Sequence, residues 1–221
     1  MNIERRAFSD CSSLIGDLII PDSVIEIDYI AFKSCSNLNC ILKLSSNLLK
    51  IGSSSFENCS SLVGDLIIPN SVEEIGSDAF SNCIGFNGIL KLSNKLSKLY
   101  RDTFYNCTSL TGDLIIPDSV EEIDSDAFSN CTGFNGALRL SNNLVRIGTN
   151  AFGDCASLTG DLIIPDSVEE ISDYAFSGCT GFNGNLKLSK SLIKIGSTAF
   201  GGCSNFNSNL IIPEKVNKIG Q

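Results

Sequence analysis

The chain of 221 residues is 43% hydrophobic and carries a formal net charge of −9, with no histidine. Nucleic-acid-binding domains are usually basic, so this composition argues against a nucleic-acid partner and against attraction to an anionic membrane surface. Without histidine the chain lacks the commonest general base and the commonest metal ligand. The apolar runs are only a few residues long, which predicts no membrane insertion.

A strict repeat of 24 residues runs through the chain. Cysteine recurs nine times at this step, and phenylalanine keeps the same step three residues earlier. A fixed period of about 20–50 residues indicates a solenoid, a propeller or another array. The two series are Cys11, Cys35, Cys59, Cys83, Cys107, Cys131, Cys155, Cys179 and Cys203, and Phe8, Phe32, Phe56, Phe80, Phe104, Phe128, Phe152, Phe176 and Phe200.

Within one coil the first predicted element is a turn at Gly64, which leads into a short strand at 66–68. The first and third residues of this strand are predicted to point inward and the middle one outward. Pro69 lacks an amide hydrogen and ends the strand, whereas the next coil has Ser93 at that position. The stretch 75–86 is too short for a long helix, so we expect a 3₁₀ turn or a loop.

The apolar columns of one coil cannot be buried by that coil alone, but stacked coils cover one another. Every coil runs in the same direction, so the sheet is predicted to be parallel, with a step of about 4.8 Å. The sequence thus predicts a single solenoid domain over 1–221, with about nine 24-residue coils of strand and loop and little helix. The predicted inward residues of one coil are Leu66, Ile68, Val72, Ile75, Ala79, Phe80, Cys83 and Phe86.

Two segments carry a family resemblance, namely IPDSVEEIDSDAFSNCTGF (116–134) and LRLSNNLVRIGTNAFGDCASL (138–158). They resemble the BspA-like, or Treponema pallidum-type, leucine-rich repeats, and the pattern covers the whole chain. The resemblance implies a right-handed leucine-rich-repeat solenoid with a parallel β-sheet on its concave side. It also implies protein binding, often to host molecules, at the cell surface or outside the cell, and it brings no catalytic residues.

The coils alternate between two types, so a second period of 48 residues overlies the first. Type one reads GDLIIPDSVEEI at 112–123, and type two reads GALRLSNNLVRI at 136–147. One alternating column is charged, and its opposite charges are predicted to face each other across adjacent coils, for about 0–1 kcal/mol per exposed pair. This column is Glu26, Lys50, Glu74, Lys98, Glu122, Arg146, Glu170, Lys194 and Lys218.

A second alternating column occupies the outward position of the predicted strands. Two interpretations stay open: isoleucine is placed there by its β-propensity on a solvated face, or the chequered apolar and charged strip docks a protein. The column, which is the candidate protein-binding sheet face, is Ile19, Lys43, Ile67, Lys91, Ile115, Arg139, Ile163, Lys187 and Ile211.

The cysteine spacing argues against a metal site, because ligand sets need close pairs, usually with histidine. The regular column is instead predicted to consist of buried free thiols. Cys40 replaces the glycine of its own column, so it is predicted at a turn, where it is the candidate exposed and reactive thiol.

The terminal coils lack the atypical capping repeats that usually close a solenoid. Either the chain is a fragment of a longer array, or a second copy covers its ends, and the second option predicts a homo-oligomer. The candidate self-association residues are Phe8, Leu14, Val216 and Ile219.

These observations favour a protein-binding module, as in a microbial surface or secreted adhesion protein that contacts a host surface or matrix protein. The alternative is a self-assembling scaffold or spacer without a specific ligand. No P-loop, nucleophile elbow or metal constellation is present, so the sequence predicts neither an enzyme nor a cofactor. The N-terminus lacks a signal-peptide pattern, which indicates that this secretory route is not used or that a leader has been removed.

Overall fold

The computed structural model describes residues 1–220 as a parallel β-solenoid of about nine turns, and no helix occurs in that range. No segment of those residues is therefore a helix that could cross a membrane. Each full coil holds two strands of two residues, joined by turns. The predicted step of 24 residues is confirmed, because every paired residue lies 24 positions from its partner.

The first set, the LxI strands, follows the predicted leucine-led pattern. These strands form four separate two-stranded sheets, β2–β4, β6–β8, β10–β12 and β14–β16. They are β2 (Leu18–Ile19), β4 (Leu42–Lys43), β6 (Leu66–Ile67), β8 (Leu90–Lys91), β10 (Leu114–Ile115), β12 (Leu138–Arg139), β14 (Leu162–Ile163) and β16 (Leu186–Lys187).

The second set, the ladder strands, was not predicted, because the sequence analysis assigned one strand to each coil. These strands form a four-stranded and a six-stranded parallel sheet. They are β1 (Asn2–Ile3), β3 (Glu26–Ile27), β5 (Lys50–Ile51), β7 (Glu74–Ile75), β9 (Lys98–Leu99), β11 (Glu122–Ile123), β13 (Arg146–Ile147), β15 (Glu170–Ile171), β17 (Lys194–Ile195) and β18 (Lys218–Ile219).

The charged column lies on the ladder strands, and its predicted cross-coil pairing is confirmed. Lys50 Nζ lies 3.3 Å from Glu74 Oε1, and Lys98 Nζ lies 3.2 Å from Glu122 Oε2. Lys194 and Glu170 approach to 2.5 Å. The two sheets are separated between β7 and β9, where Lys98 turns toward Glu122 and Asp124 rather than toward the preceding coil.

The interior is filled by the predicted columns, which stack coil upon coil. Phe80 and Phe104 are fully buried, with parallel rings whose centroids lie 5.7 Å apart. The same stacking runs unbroken from Phe8 to Phe200. Beside the rings, each thiol from Cys35 onward donates to a phenylalanine carbonyl of the preceding coil, as Cys83 does to that of Phe56 at 3.0 Å.

The long connection from the ladder strand to the next LxI strand is made of tight turns. Two residues of each turn adopt left-handed backbone conformations, and in the fourth coil these are Asp78 (φ 58°) and Asn82 (φ 59°). Aspartate and asparagine tolerate this region better than most other residues. The turns leave little room for a helix, which explains why none forms between the ladder strand and Phe86.

Candidate functional site

The nine candidate sheet-face residues all have exposed side chains. Eight of them are the second residues of the LxI strands, with their neighbours directed into the core: Ile67 is 42% exposed, whereas Leu66 and Ile68 are each 1% exposed. Ile211 departs from the prediction, because 210–212 forms no strand. We call the surface formed by these nine side chains the groove face, after the feature that divides it.

The groove face is locked together in pairs of coils, type one with the following type two. The Ile68 amide donates to the Lys91 carbonyl at 2.8 Å, and the Ile89 amide donates to Asp65 Oδ1 at 2.8 Å. The hydroxyl of the buried Ser93 donates to the carbonyl of Val72 at 2.6 Å. The alternation of proline and serine noted in the sequence thus has a structural reason: the serine ties its coil back to the coil before it.

The opposite contact, from a type-two coil to the next type-one coil, lacks this ladder. Across residues 1–220, no backbone hydrogen bond joins an LxI strand of type two to the LxI strand that follows it. The chains meet instead at isolated bridges that are two residues out of register, such as Ile41 with Val63 and Ile89 with Thr111. The sheet is therefore split once every 48 residues.

Two glycines of the same column account for the split. Gly64 has φ +82°, a conformation that L-residues with side chains rarely adopt, and the type-one strand leaves the preceding coil there. Gly88 has no such φ, but a Cβ at Gly88 would lie 2.0 Å from Asp65 Oδ1. The type-one glycine therefore turns the chain away, and the type-two glycine makes room for the carboxylate that joins the pair.

Each split forms a groove between the two coils, and four grooves recur along the face. Type-two leucines and isoleucines line one wall, with a type-one isoleucine and proline on the other. The grooves have volumes of about 480, 510, 590 and 250 Å³ in chain order. Leu90 and Leu92, each 6% exposed, form part of the second groove and are more accessible than the type-one residues Leu66 and Ile68.

The groove face carries basic groups that are not neutralised by ion pairs. None of Lys43, Lys91, Arg139 and Lys187 lies within 4.0 Å of a carboxylate among the described residues, whereas the basic residues of β5, β9, β13 and β17 on the ladder strands all do. The acidic neighbours on this face, including Asp65 and Asp113, accept backbone amides of the next coil. The four cations therefore remain available to a partner.

Comparison with known proteins identifies the repeat. Six copies of the BspA type leucine rich repeat region match the sequence over residues 1–111, 63–183 and 146–221. The chain belongs to the BspA-type leucine-rich-repeat family. No protein of curated function matches the sequence.

Solved structures show the same architecture. The pneumococcal vaccine antigen PcpA is 21% identical, with a TM-score of 0.62, over 100% of this chain and 64% of PcpA. A leucine-rich repeat protein from Eubacterium ventriosum is 20% identical, with a TM-score of 0.63, over 92% of this chain and 56% of that protein. A leucine rich cell surface protein from Faecalibacterium prausnitzii is 22% identical, with a TM-score of 0.48, over 98% and 68% of the two chains.

The thiols of this BspA-type solenoid are structural. All ten cysteines are free, and Cys35 to Cys179 are buried. Burial raises the pKa of the Cys107, Cys131 and Cys155 thiols, which disfavours the reactive thiolate. In the part of the chain that is described, no three His, Cys, Asp or Glu side chains are placed to hold a metal ion.

The prediction for Cys40 was wrong. Its side chain is only 5% exposed and belongs to the core. Cys40 occupies the position of Gly88 one pair of coils earlier, where a Cβ would meet the carboxylate of the preceding coil. Asp17 accordingly makes no hydrogen bond to the Ile41 amide, although its counterparts in later coils do. Position in a turn does not ensure exposure, because the neighbouring coil covers it.

The four candidate self-association residues lie on the terminal coils. Phe8 is 42% exposed, Leu14 39% and Ile219 56%, and Val216 is half-buried. The two partly exposed thiols, Cys11 and Cys203, lie in the same terminal coils. These apolar side chains are accessible in this chain.

Proposed function

We propose that the chain is a non-catalytic protein-binding module of a microbial surface or secreted adhesion protein, and that the groove face is its binding surface. One observation supports this proposal above all: unpaired cations, exposed isoleucines and apolar grooves recur along a single face of a stacked, well-packed solenoid. Exposed apolar area rimmed by polar groups is typical of interaction sites. The BspA-type family and the surface proteins among its members agree with this role and with a location at the cell surface or outside the cell.

The proposal is tested by capture of host surface and matrix proteins on the immobilised chain. The double variant Lys91→Glu/Arg139→Glu reverses two central charges of the groove face. The matched control, Arg5→Glu/Lys95→Glu, makes the same change in net charge at exposed sites outside the grooves. We expect the proteins captured by the native chain to be lost with the first variant and retained with the second. Identical capture by all three chains would contradict the assignment of the groove face.

A second candidate function is self-assembly into a scaffold, and the exposed apolar side chains of the terminal coils favour it. Light scattering at micromolar concentration tests this function. If Phe8 and Ile219 mediate assembly, the variant Phe8→Asp/Ile219→Asp is expected to reduce an oligomeric native mass to that of a monomer of 23.6 kDa. A native chain that is already monomeric at this concentration contradicts the candidate.

A further inference from the structure

The grooves form a regular row, and their spacing restricts what can occupy them together. They recur every two coils, and stacked parallel strands lie about 4.8 Å apart, so neighbouring grooves are about 9.6 Å apart. The row of four therefore spans about 29 Å between its first and last members. A partner that lies along the row and inserts one side chain in each groove needs an apolar group at this interval.

Regular polypeptide conformations differ in how well they meet this interval. A β-strand repeats its side-chain direction about every 6.6 Å, which places successive side chains out of step with the grooves. Seven residues of an α-helix advance about 10.5 Å, an error of nearly 3 Å over three intervals. A polyproline II helix has three residues per turn and a rise of about 3.1 Å, so every third side chain recurs after about 9.3 Å. Its error over the whole row is about 1 Å.

The charges beside the grooves restrict the partner further. Lys43, Lys91, Arg139 and Lys187 recur at the same two-coil interval, each at the wall of a groove. None of them is neutralised within 4.0 Å by a described carboxylate, as shown above. An acidic side chain next to each apolar anchor would therefore meet one cation per groove. Complementary charge raises the association rate and fixes the register of a complex.

We propose that the groove row binds an extended polypeptide in the polyproline II conformation, with an apolar side chain at every third residue and acidic side chains between them. This inference rests on the proposed function and specifies the partner of the same face. Side chains of leucine size occupy the grooves between Ile115 and Leu92 and at the three equivalent positions. The acidic side chains lie against the basic row, and the backbone runs parallel to the solenoid axis.

Synthetic peptides test the periodicity directly. Fluorescence anisotropy with labelled (Leu-Glu-Pro)n, where n runs from two to six, is expected to show tighter binding with each repeat up to four, because four grooves are then filled. Further repeats are expected to change Kd by less than about threefold. The peptides (Leu-Glu)6, with a period of two, and (Leu-Lys-Pro)4, with reversed charge, are expected to bind at least tenfold more weakly. Equal binding of (Leu-Glu)6 would refute the spacing, and equal binding of (Leu-Lys-Pro)4 would refute the role of the basic row.

Variants of the chain place the peptide on the face. Lys91→Glu/Arg139→Glu is expected to weaken binding of (Leu-Glu-Pro)4 at least tenfold, and Ile115→Ala/Ile163→Ala severalfold, with the control Arg5→Glu/Lys95→Glu unchanged. Circular dichroism verifies that each variant is folded. If no peptide binds at millimolar concentration and low salt, this inference is wrong, yet the proposed function stands as long as capture of host proteins remains sensitive to Lys91 and Arg139. If capture is insensitive as well, both are wrong.

Discussion

Replacing a phenylalanine in the middle of the ring stack and another at its end separates the contribution of stacking coils from that of the coil itself. Phe104 is fully buried, and its ring centroid lies 5.7 Å from Phe80 and 5.3 Å from Phe128. Phe8 is 42% exposed and has one stacked neighbour, Phe32 at 5.1 Å. The substitution Phe→Ala at both sites makes the same chemical change in two different environments.

The expected loss at Phe104 is about 4 kcal/mol, since a buried phenylalanine replaced by alanine costs about 3–5 kcal/mol, including the cavity that is left. At Phe8 the ring is already partly solvated and only one ring pair is lost, so we expect about 1.5 kcal/mol. Phe104→Leu, which keeps most of the volume and loses both ring pairs, is expected to cost about 1–3 kcal/mol.

Urea unfolding monitored by circular dichroism measures these differences. Each coil of a solenoid contacts only its neighbours, so weakening the central interface is also expected to broaden or divide the transition, whereas the terminal change is not. Equal destabilisation by Phe104→Ala and Phe8→Ala would show that the rings do not stabilise the fold through the stack. A loss below about 1 kcal/mol at Phe104 would have the same meaning.

Three further changes test other parts of the structure. Thiol labelling of the folded chain is expected to modify Cys11 and Cys203 before any other cysteine, and Cys203 slowly at neutral pH, because burial raises its pKa to about 11; early labelling of Cys40 would contradict its buried position. Gly88→Ala, assayed by thermal unfolding, is expected to cost about 1–3 kcal/mol, since the new Cβ displaces the Asp65 carboxylate from the Ile89 amide; an unchanged midpoint would contradict this. The hydrogen bond from Lys194 lowers the pKa of Glu170, so its contribution to stability is present above the unfolded value of about 4.3 and is lost as the pH falls below it. Glu170→Gln is therefore expected to reduce the acid dependence of unfolding between about pH 5 and pH 3, and an identical pH profile would count against the pair.

Much of the solenoid could be predicted from the sequence because its core depends on a translation. Once Leu66, Val72 and Cys83 were aligned with residues 24 positions away, their burial followed from stacking, and each is at most 1% exposed. The ladder strands were missed because two residues such as Glu74–Ile75 are too few to show an alternating pattern. The charged column that they carry was nevertheless visible, and its alternation was the signal that could have placed them in a paired sheet.

The grooves could not be predicted, because they depend on a difference between identical residues. Gly64 and Gly88 occupy the same column, yet only Gly64 has a positive φ. The alternation of Pro69 and Ser93 was noted as a strand ending, and its consequence for pairing required the position of the Val72 carbonyl. The outward direction of the groove-face residues was predicted correctly up to Lys187, but the division of that face into pairs of coils depends on packing across the type-two to type-one contact.

The division of the face is difficult to explain by stability alone. At each groove, the backbone groups of a type-two strand such as Leu42–Lys43 and of Ile67 forgo the ladder hydrogen bonds that the other contact makes, each of which contributes about 1 kcal/mol net. The ladder strands and the ring stack pass through the same coils and make contacts across this interface, so the coils are not too far apart to pair. An ordinary strand contact was therefore available, and the chain forgoes it four times in the same way. That repetition, next to a matching row of unpaired cations, is what a surface adapted to an extended and periodic partner requires.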